Sequence, residues 1–467
     1  MLFSSMTFLY LYLPFVLICY YLIFRWSRLL QNIFLLAASL LFYAWGEPKF
    51  VFAMMGSILV NWFFGLLVDA LRGRKSLCKI SLALDVAFNL GILFIFKYLT
   101  FMGEVINTIF GMKINVPKTL LPIGISFFTF QAMSYVIDVY RQKAEVQPNL
   151  FYVGLYISFF PQLIAGPIVR YETIADQIKN RQESLNGLFD GFARFVEGLS
   201  KKVLLANAFA ILADQAFNAD ISTASAAFCW LGAIAYTFQI FFDFSGYSDM
   251  AIGLGQMFGF RFLENFDYPY ISTSVTEFWR RWHISLGTWF RDYLYIPLGG
   301  NRCGTRRNIF NLFIVWFLTG LWHGANYTYI VWGLMYFLLL FMEKKVGINN
   351  KSGQKTRSVF KWLYTMFFVV IGWVIFRADS IGAALCYLRG MFCLNGNLTM
   401  DGIFTGWFAQ NILLLFFGVV LSTPLIETFW QDKKHGLLRA AVLACLFVLS
   451  VASLVSSSYN PFIYFNF

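Results

Sequence analysis

EFWRRWHISLGTWFRDYLYIPLGGNR, residues 277–302, followed after one apolar segment by LWHGA at 321–325, is the stretch on which the reading of this chain turns. It contains two of the three histidines, His283 and His323, and places Arg280, Arg281, His283, Arg291 and Asp292 within thirteen residues. The surrounding sequence is 59% hydrophobic and only 13% charged. A charged side chain at a bilayer centre costs roughly 2.5–3.5 kcal/mol, so this block facing acyl chains would cost on the order of 10 kcal/mol. It therefore belongs at an interface or inside a wet, protein-enclosed space.

The rest of the chain supplies the membrane. Across 467 residues, 20% of them aromatic, apolar runs near 20 residues recur from end to end, and mean hydropathy is +0.64. Such runs at 1.5 Å per residue cross a hydrocarbon core of about 30 Å. They lack the alternation of a barrel strand, so the expected fold is an all-α polytopic membrane protein forming a single domain over 1–467. The formal charge of +12 is spread as short Lys and Arg clusters between apolar runs. That is the pattern of topology signals, and it argues against a nucleic-acid partner.

Of the seven cysteines, Cys19, Cys229 and Cys445 lie in apolar runs as small hydrophobes, and packing is favoured over a bridge for Cys386 and Cys393. No Cys/His metal spacing appears. The run at 6–24 lacks a preceding basic region and a following small-residue cleavage site, and reads as a retained first helix.

Helical runs are expected at 6–24, 30–45, 50–70, 80–99, 119–139, 190–217, 226–258, 308–322, 325–342, 358–376, 408–428 and 440–456. The basic loop RGRKSLCK, Arg72 to Lys79, anchors the cytoplasmic side, as does the loop from Glu343 to Lys361. About twelve crossings with both termini extracytoplasmic satisfy these anchors, leaving 457–467 as an external tail. LFYVGLYISFFPQLIAGPIV at 150–169 is interrupted by Pro161 and Pro167. Proline removes a backbone donor, so a broken, re-entrant element is expected there.

His323 sits in the break between two apolar runs, between Trp322 and Gly324. The plainer alternative is a hairpin cap; an imidazole at membrane depth, able to exchange a proton near neutral pH, favours function. His283 has Arg280, Ser285, Trp279, Trp282 and Trp289 around it, which also suits an interfacial amphipathic helix. In FQIFFDFSGYSDMAIG, residues 238–253, Gln239, Asp243 and Tyr247 share one helix face, with Asp249 nearby. Buried carboxylates need partners, and Arg280, Arg281 and Arg291 are the expected ones.

Five motifs then carry a resemblance: SFFPQLIAGPIVR (158–170), FFDFSGYSDMAIG (241–253), FWRRWHISLGTWFRDYLYIPLGGNR (278–302), LTGLWHGA (318–325) and VIFRADS (374–380). Together they resemble the membrane-bound O-acyltransferase family, in its branch for O-acetylation of alginate and bacterial cell-wall polymers. The resemblance implies a ring of about 11–12 tilted helices with re-entrant and interfacial helices around a central tunnel, in the bacterial cytoplasmic membrane.

It further implies His323 as principal catalytic histidine, His283 as second, and acetyl-CoA, or an acyl carrier protein, as donor substrate with no bound cofactor. The acceptor side would be completed by an extracytoplasmic SGNH-type acetyltransferase or another polymer-modifying partner. Trp282, Trp322, Arg280, Arg281, Arg291, Asp292, Gln239, Asp243 and Tyr247 are the supporting or donor-binding candidates. Donors for an oxyanion are available in His283, Arg280 and the Trp indoles.

The tail PFIYFNF resembles an aromatic motif whose tyrosine, here Tyr464, relays the acyl group; an aromatic belt at a helix end is the plainer alternative. The competing functions are D-alanyl transfer to teichoic acid from a carrier protein, and a transporter or flippase without acyl chemistry.

Overall fold

A computed structural model describes residues 1–117, 119–347, 358–430, 436–457 and 459–463. Every regular element among them is helical. Among the described residues, seven helices are long and apolar enough to cross a membrane: Arg28–Gly46, Val51–Ala70, Lys75–Phe110, Ala226–Met257, Val359–Arg377, Gly402–Leu421 and Gly436–Ser456. The chain is an all-helical, multi-pass membrane protein. The other five expected runs are helical too, but short, interrupted or more polar: Phe8–Ile23, Ile125–Tyr140, Leu185–Ser200 continuing through Lys201–Ala206 to Asn207–Phe217, Thr305–His323 and Tyr327–Val346.

The chain divides into two compact units, Met1–Phe195 with Tyr247–Leu263, and Val196–Gly246 with Glu264–Phe467. In the first, the broken element behaves as the prolines dictate. The helix Leu150–Ser158 stops three residues before Pro161, and the next helix begins at Tyr171. Residues 159–169 are non-helical yet wholly buried, which is tolerated only if their backbone groups find partners inside the protein. Side chains supply them. Ser39 Oγ accepts from Phe160 N at 3.0 Å, and the Tyr156 hydroxyl donates to Val169 O at 2.9 Å.

In the same unit Arg181, 4% exposed, donates to Asn32 Oδ1 at 2.7 Å and lies 4.4 Å from the Phe260 ring. Arg194 pairs with Asp249 at 2.6 Å, and Tyr247 stacks on Phe3 with centroids 4.7 Å apart.

In the second unit, Thr305–His323 and Tyr327–Val346 form a hairpin with almost no space between backbones. A methyl at Gly320 would stand 2.4 Å from Tyr329 O, and one at Gly333 2.4 Å from Trp316 O. Glycine at both positions lets the helices approach this closely, and the crossing lies one turn before His323. The seven cysteines are unbridged, Cys386 and Cys393 among them.

Candidate functional site

The site is built in the second unit from helix ends. Thr305–His323 terminates on His323, where Gly324 runs extended and Asn326 caps the next helix by accepting from Thr328 N at 3.1 Å. A methyl on Gly324 would lie 2.2 Å from the Tyr329 ring, so the chain can turn here only without a side chain. The His323 imidazole is buried and meets Trp322, Trp332 and Phe376 edge-on at centroid distances of 5.0, 5.1 and 5.1 Å.

His283 lies near the same indole. It lies outside the seven long apolar helices and precedes the short helix Ile284–Phe290 in a left-handed conformation, φ +48° and ψ +52°. That conformation is rare for a side-chain-bearing residue and persists only where its surroundings hold it. Its ring is 4.6 Å from Phe244, edge to face, and 6.1 Å from Trp322. Trp322 thus touches both histidines, its ring being 5.0 Å from that of His323. Burial pushes the His283 pKa down from 6.5 to about 3, which keeps the ring neutral at physiological pH.

The segment leading to His283 is held at its start by a residue the sequence reading placed elsewhere. Glu343 was expected to open a cytoplasmic loop; it occupies the last turns of Tyr327–Val346 and is fully buried. Its carboxylate accepts from Val275 N at 2.6 Å, Thr276 N at 2.9 Å and Thr276 Oγ1 at 2.6 Å. These are orphan donors at the start of helix Val275–Arg281, whose dipole also favours a negative charge there. Ser274 completes the cap, accepting from Glu277 N at 3.0 Å. The helix after His323 thereby grips the helix before His283.

The other expected site residues separate. Trp282 stacks on Phe278 and lies 4.8 Å from Trp373, as packing. Arg280 is exposed; Arg281 pairs with Asp267 and Glu277 at 2.8 and 3.1 Å; Arg291, 58% exposed at its side chain, pairs with its neighbour Asp292. These arginines do not neutralise the carboxylates of Ala226–Met257, as expected above. Asp243 pairs with Lys202 at 2.7 Å, each side chain 3% exposed, and Asp249 has Arg194. Lys202 lies inside the apolar run expected at 190–217, and nothing in the sequence singles it out as the partner of Asp243.

Gln239 accepts from Arg377 at 3.3 Å, and Arg377 in turn pairs with Asp214 at 2.5 Å. This polar face receives the tail. Tyr459 donates to Asp214, Asn207 donates to Asn460 Oδ1 at 3.3 Å, Lys202 donates to Pro461 O, and Ile463 N donates to Asp243 Oδ2 at 2.9 Å. Phe462 and Ile463 are buried. Tyr464 itself lies outside the described residues. Among the described residues no group of three His, Cys, Asp or Glu side chains is arranged to hold a metal ion.

The model of the MBOAT, membrane-bound O-acyltransferase family matches residues 124–383. The chain is 43% identical to a "Probable alginate O-acetylase AlgI" of Pseudomonas putida over 495 aligned positions, covering all of both chains. It is 31% identical to a "Peptidoglycan O-acetyltransferase" of Helicobacter pylori, over all of this chain and 98% of the other. A "Teichoic acid D-alanyltransferase" of Streptococcus thermophilus is 32% identical over 53% of this chain and 65% of its own length.

Proposed function

From the premise that this chain belongs to the membrane-bound O-acyltransferase family, we propose that it takes acetyl from cytoplasmic acetyl-CoA and exports it, as an ester, for O-acetylation of an extracytoplasmic polysaccharide or wall polymer. It is an O-acyltransferase serving membrane O-acetylation. The donor, the direction and the acceptor are our reading. The observation that carries it is the pair of buried histidines, His283 and His323, against the single indole of Trp322.

The chemistry is thioester to ester exchange. An acceptor hydroxyl attacks the acetyl carbonyl while its proton passes to His323. The C–S bond then breaks, the CoA sulfur leaves with the electron pair, and the imidazolium returns the proton to it. An imidazole buried against Trp332 and Phe376 suits this role. Matches to O-acetylases over the whole chain support acetyl as the group transferred over D-alanyl, for which the cited match covers about half.

The first acceptor is the Tyr464 phenol. Support for this comes from the docking of residues 459–463, which immediately precede that tyrosine, on Asp214, Lys202 and Asp243. The acetyl then passes to an extracytoplasmic partner transferase, of SGNH type, that modifies the polymer. Both termini lie outside the cytoplasmic membrane in this arrangement, in keeping with the basic loop at Arg72 to Lys79 on the inner side.

The test is proteoliposomes supplied either with radiolabelled acetyl-CoA or with an aminoacyl carrier protein. Label appearing on the protein from acetyl-CoA alone supports the reading. Transfer only from the carrier protein would replace it with D-alanylation; binding without transfer would replace it with transport.

A further inference from the structure

We propose that Asn265 is a positioning residue that fixes His283 as the Nδ1–H tautomer, so that Nε2 carries the ring's lone pair. The inference rests on the reading of His283 as part of the acyl-transfer site.

Asn265 is completely buried and serves the turn at His283 from both ends. Its main-chain oxygen accepts from Ile284 N at 2.9 Å. Its side-chain Oδ1 accepts from Ser285 N at 3.1 Å and from Ser285 Oγ at 2.9 Å. Ile284 and Ser285 open the helix Ile284–Phe290, whose first N–H groups have no partner within the helix. One asparagine therefore caps this helix from outside it and closes the left-handed turn that aims the imidazole.

The same geometry resolves the tautomer. The oxygen and nitrogen of an amide are normally interchangeable by a flip. Here they are not, because a backbone N–H can only donate, and the atom 3.1 Å from Ser285 N must be the amide oxygen. That oxygen is also 3.2 Å from His283 Nδ1. A neutral imidazole carries a hydrogen on one nitrogen only. With it on Nε2, the Nδ1 lone pair would face the amide oxygen's lone pairs; with it on Nδ1, the contact is a hydrogen bond.

Ser285 Oγ, 3.5 Å from Nδ1 and already donating to Asn265, presents a second oxygen lone pair to the same hydrogen. Nε2 is buried and has no hydrogen-bond partner among the described residues. Phe244 and Trp322 pack near the ring, at centroid distances of 4.6 and 6.1 Å.

The consequence is a role. Neutral His283 can accept a proton or a hydrogen bond at Nε2 and cannot donate there. It is thereby removed from the set of oxyanion donors and assigned to the accepting side of the transfer, alongside His323.

The chain has only three histidines, so the test is direct: the full-length protein in lipid nanodiscs, labelled with 15N at the imidazole nitrogens, with His283 identified by its loss in His283→Gln. The expected spectrum has a protonated Nδ1 and an unprotonated Nε2 for His283. Asn265→Asp retains that pattern, because a carboxylate also accepts; Asn265→Leu converts the signal to a mixture or to the Nε2–H form. A wild-type spectrum with Nε2 protonated overturns the proposal whatever the variants do, and so does an unchanged Nδ1–H signal in folded Asn265→Leu.

Acetyl transfer measured on the same samples separates the two claims. A tenfold or greater fall in kcat in Asn265→Leu, partly restored in Asn265→Asp, follows from both. The expected spectra with undiminished kcat in Asn265→Leu leave the tautomer in place and refute the catalytic reading of His283.

Discussion

Exchanging Lys202 and Asp243, as Lys202→Asp with Asp243→Lys, keeps a buried ion pair but reverses its polarity toward the tail. In the native arrangement the ammonium meets a tail carbonyl, Pro461 O, and the carboxylate meets a tail N–H, that of Ile463 at 2.9 Å. In the exchanged pair a carboxylate faces the carbonyl and an ammonium faces the N–H, so both contacts become repulsive. Hydrogen bonds to charged groups contribute about 1.5–3 kcal/mol each, which makes the loss about 3–6 kcal/mol, or roughly two to four decades in the docked population.

Of the remaining tail contacts, Asn207, which donates to Asn460, also accepts from Lys202 Nζ at 3.1 Å and is disturbed with the pair, whereas Tyr459 with Asp214 is not part of it. The Tyr459 contact sets a floor on how far the tail is released. Chymotrypsin reads the outcome, since Tyr459 and Phe462 are its preferred side chains and Phe462 is only 5% exposed while docked. Cleavage of the tail in native nanodiscs accelerates by at least tenfold in the exchanged protein, and label on Tyr464 falls in proportion. The single change Lys202→Met serves as reference, because an unpaired Asp243 costs about 3–5 kcal/mol of stability. If the exchanged protein is folded and its tail is cut and acylated at the wild-type rate, the pair does not dock the tail and the reasoning fails.

Three further expectations concern the histidines' supports. Glu343→Ala leaves the Val275 and Thr276 donors uncapped, lowering stability by about 1–2 kcal/mol and reducing kcat, with Glu343→Gln in between; thermal melts and transfer rates measure both. Gly320→Ala forces the hairpin apart where a methyl meets Tyr329 O, costing about 1–3 kcal/mol. It also displaces His323, with up to about a hundredfold loss of transfer per ångström; Gly56→Ala, which meets nothing within 4 Å, is the neutral control.

The third is a pH dependence. Folding lowers the His283 pKa from 6.5 to about 3, so in that window the unfolded state binds the extra proton and stability declines as pH falls. The slope is at most about 1.4 kcal/mol per pH unit. Melting temperature should therefore drop less steeply below pH 6.5 in His283→Gln than in the wild type; equal slopes would contradict the burial argument.

Much of this was legible in the sequence because the membrane simplifies the problem. Apolar run length placed the seven long helices, and Pro161 placed the end of the helix Leu150–Ser158 to within a few residues. Both histidines stood out because ionisable groups are rare in such a chain. What stayed hidden was pairing between distant segments. Nothing about Asn265 marks it as the cap of a helix twenty residues on, and Glu343 borders a basic loop that gives every reason to read it as solvent-exposed. Lys202 was passed over, and Arg280, Arg281 and Arg291 were credited with its partner Asp243; separation along the chain cannot rank them, Lys202 being 41 residues from Asp243, Arg280 37 and Arg291 48. Charge identity is written in the sequence; charge partnership is a product of the fold.

The central claim is tested most directly by acetyl transfer from acetyl-CoA in proteoliposomes, comparing wild type with His323→Ala and following label on the protein. The account predicts labelled wild type and a loss of at least a hundredfold in His323→Ala of equal thermal stability. Wild-type turnover in folded His323→Ala would contradict it and remove His323 from the chemistry.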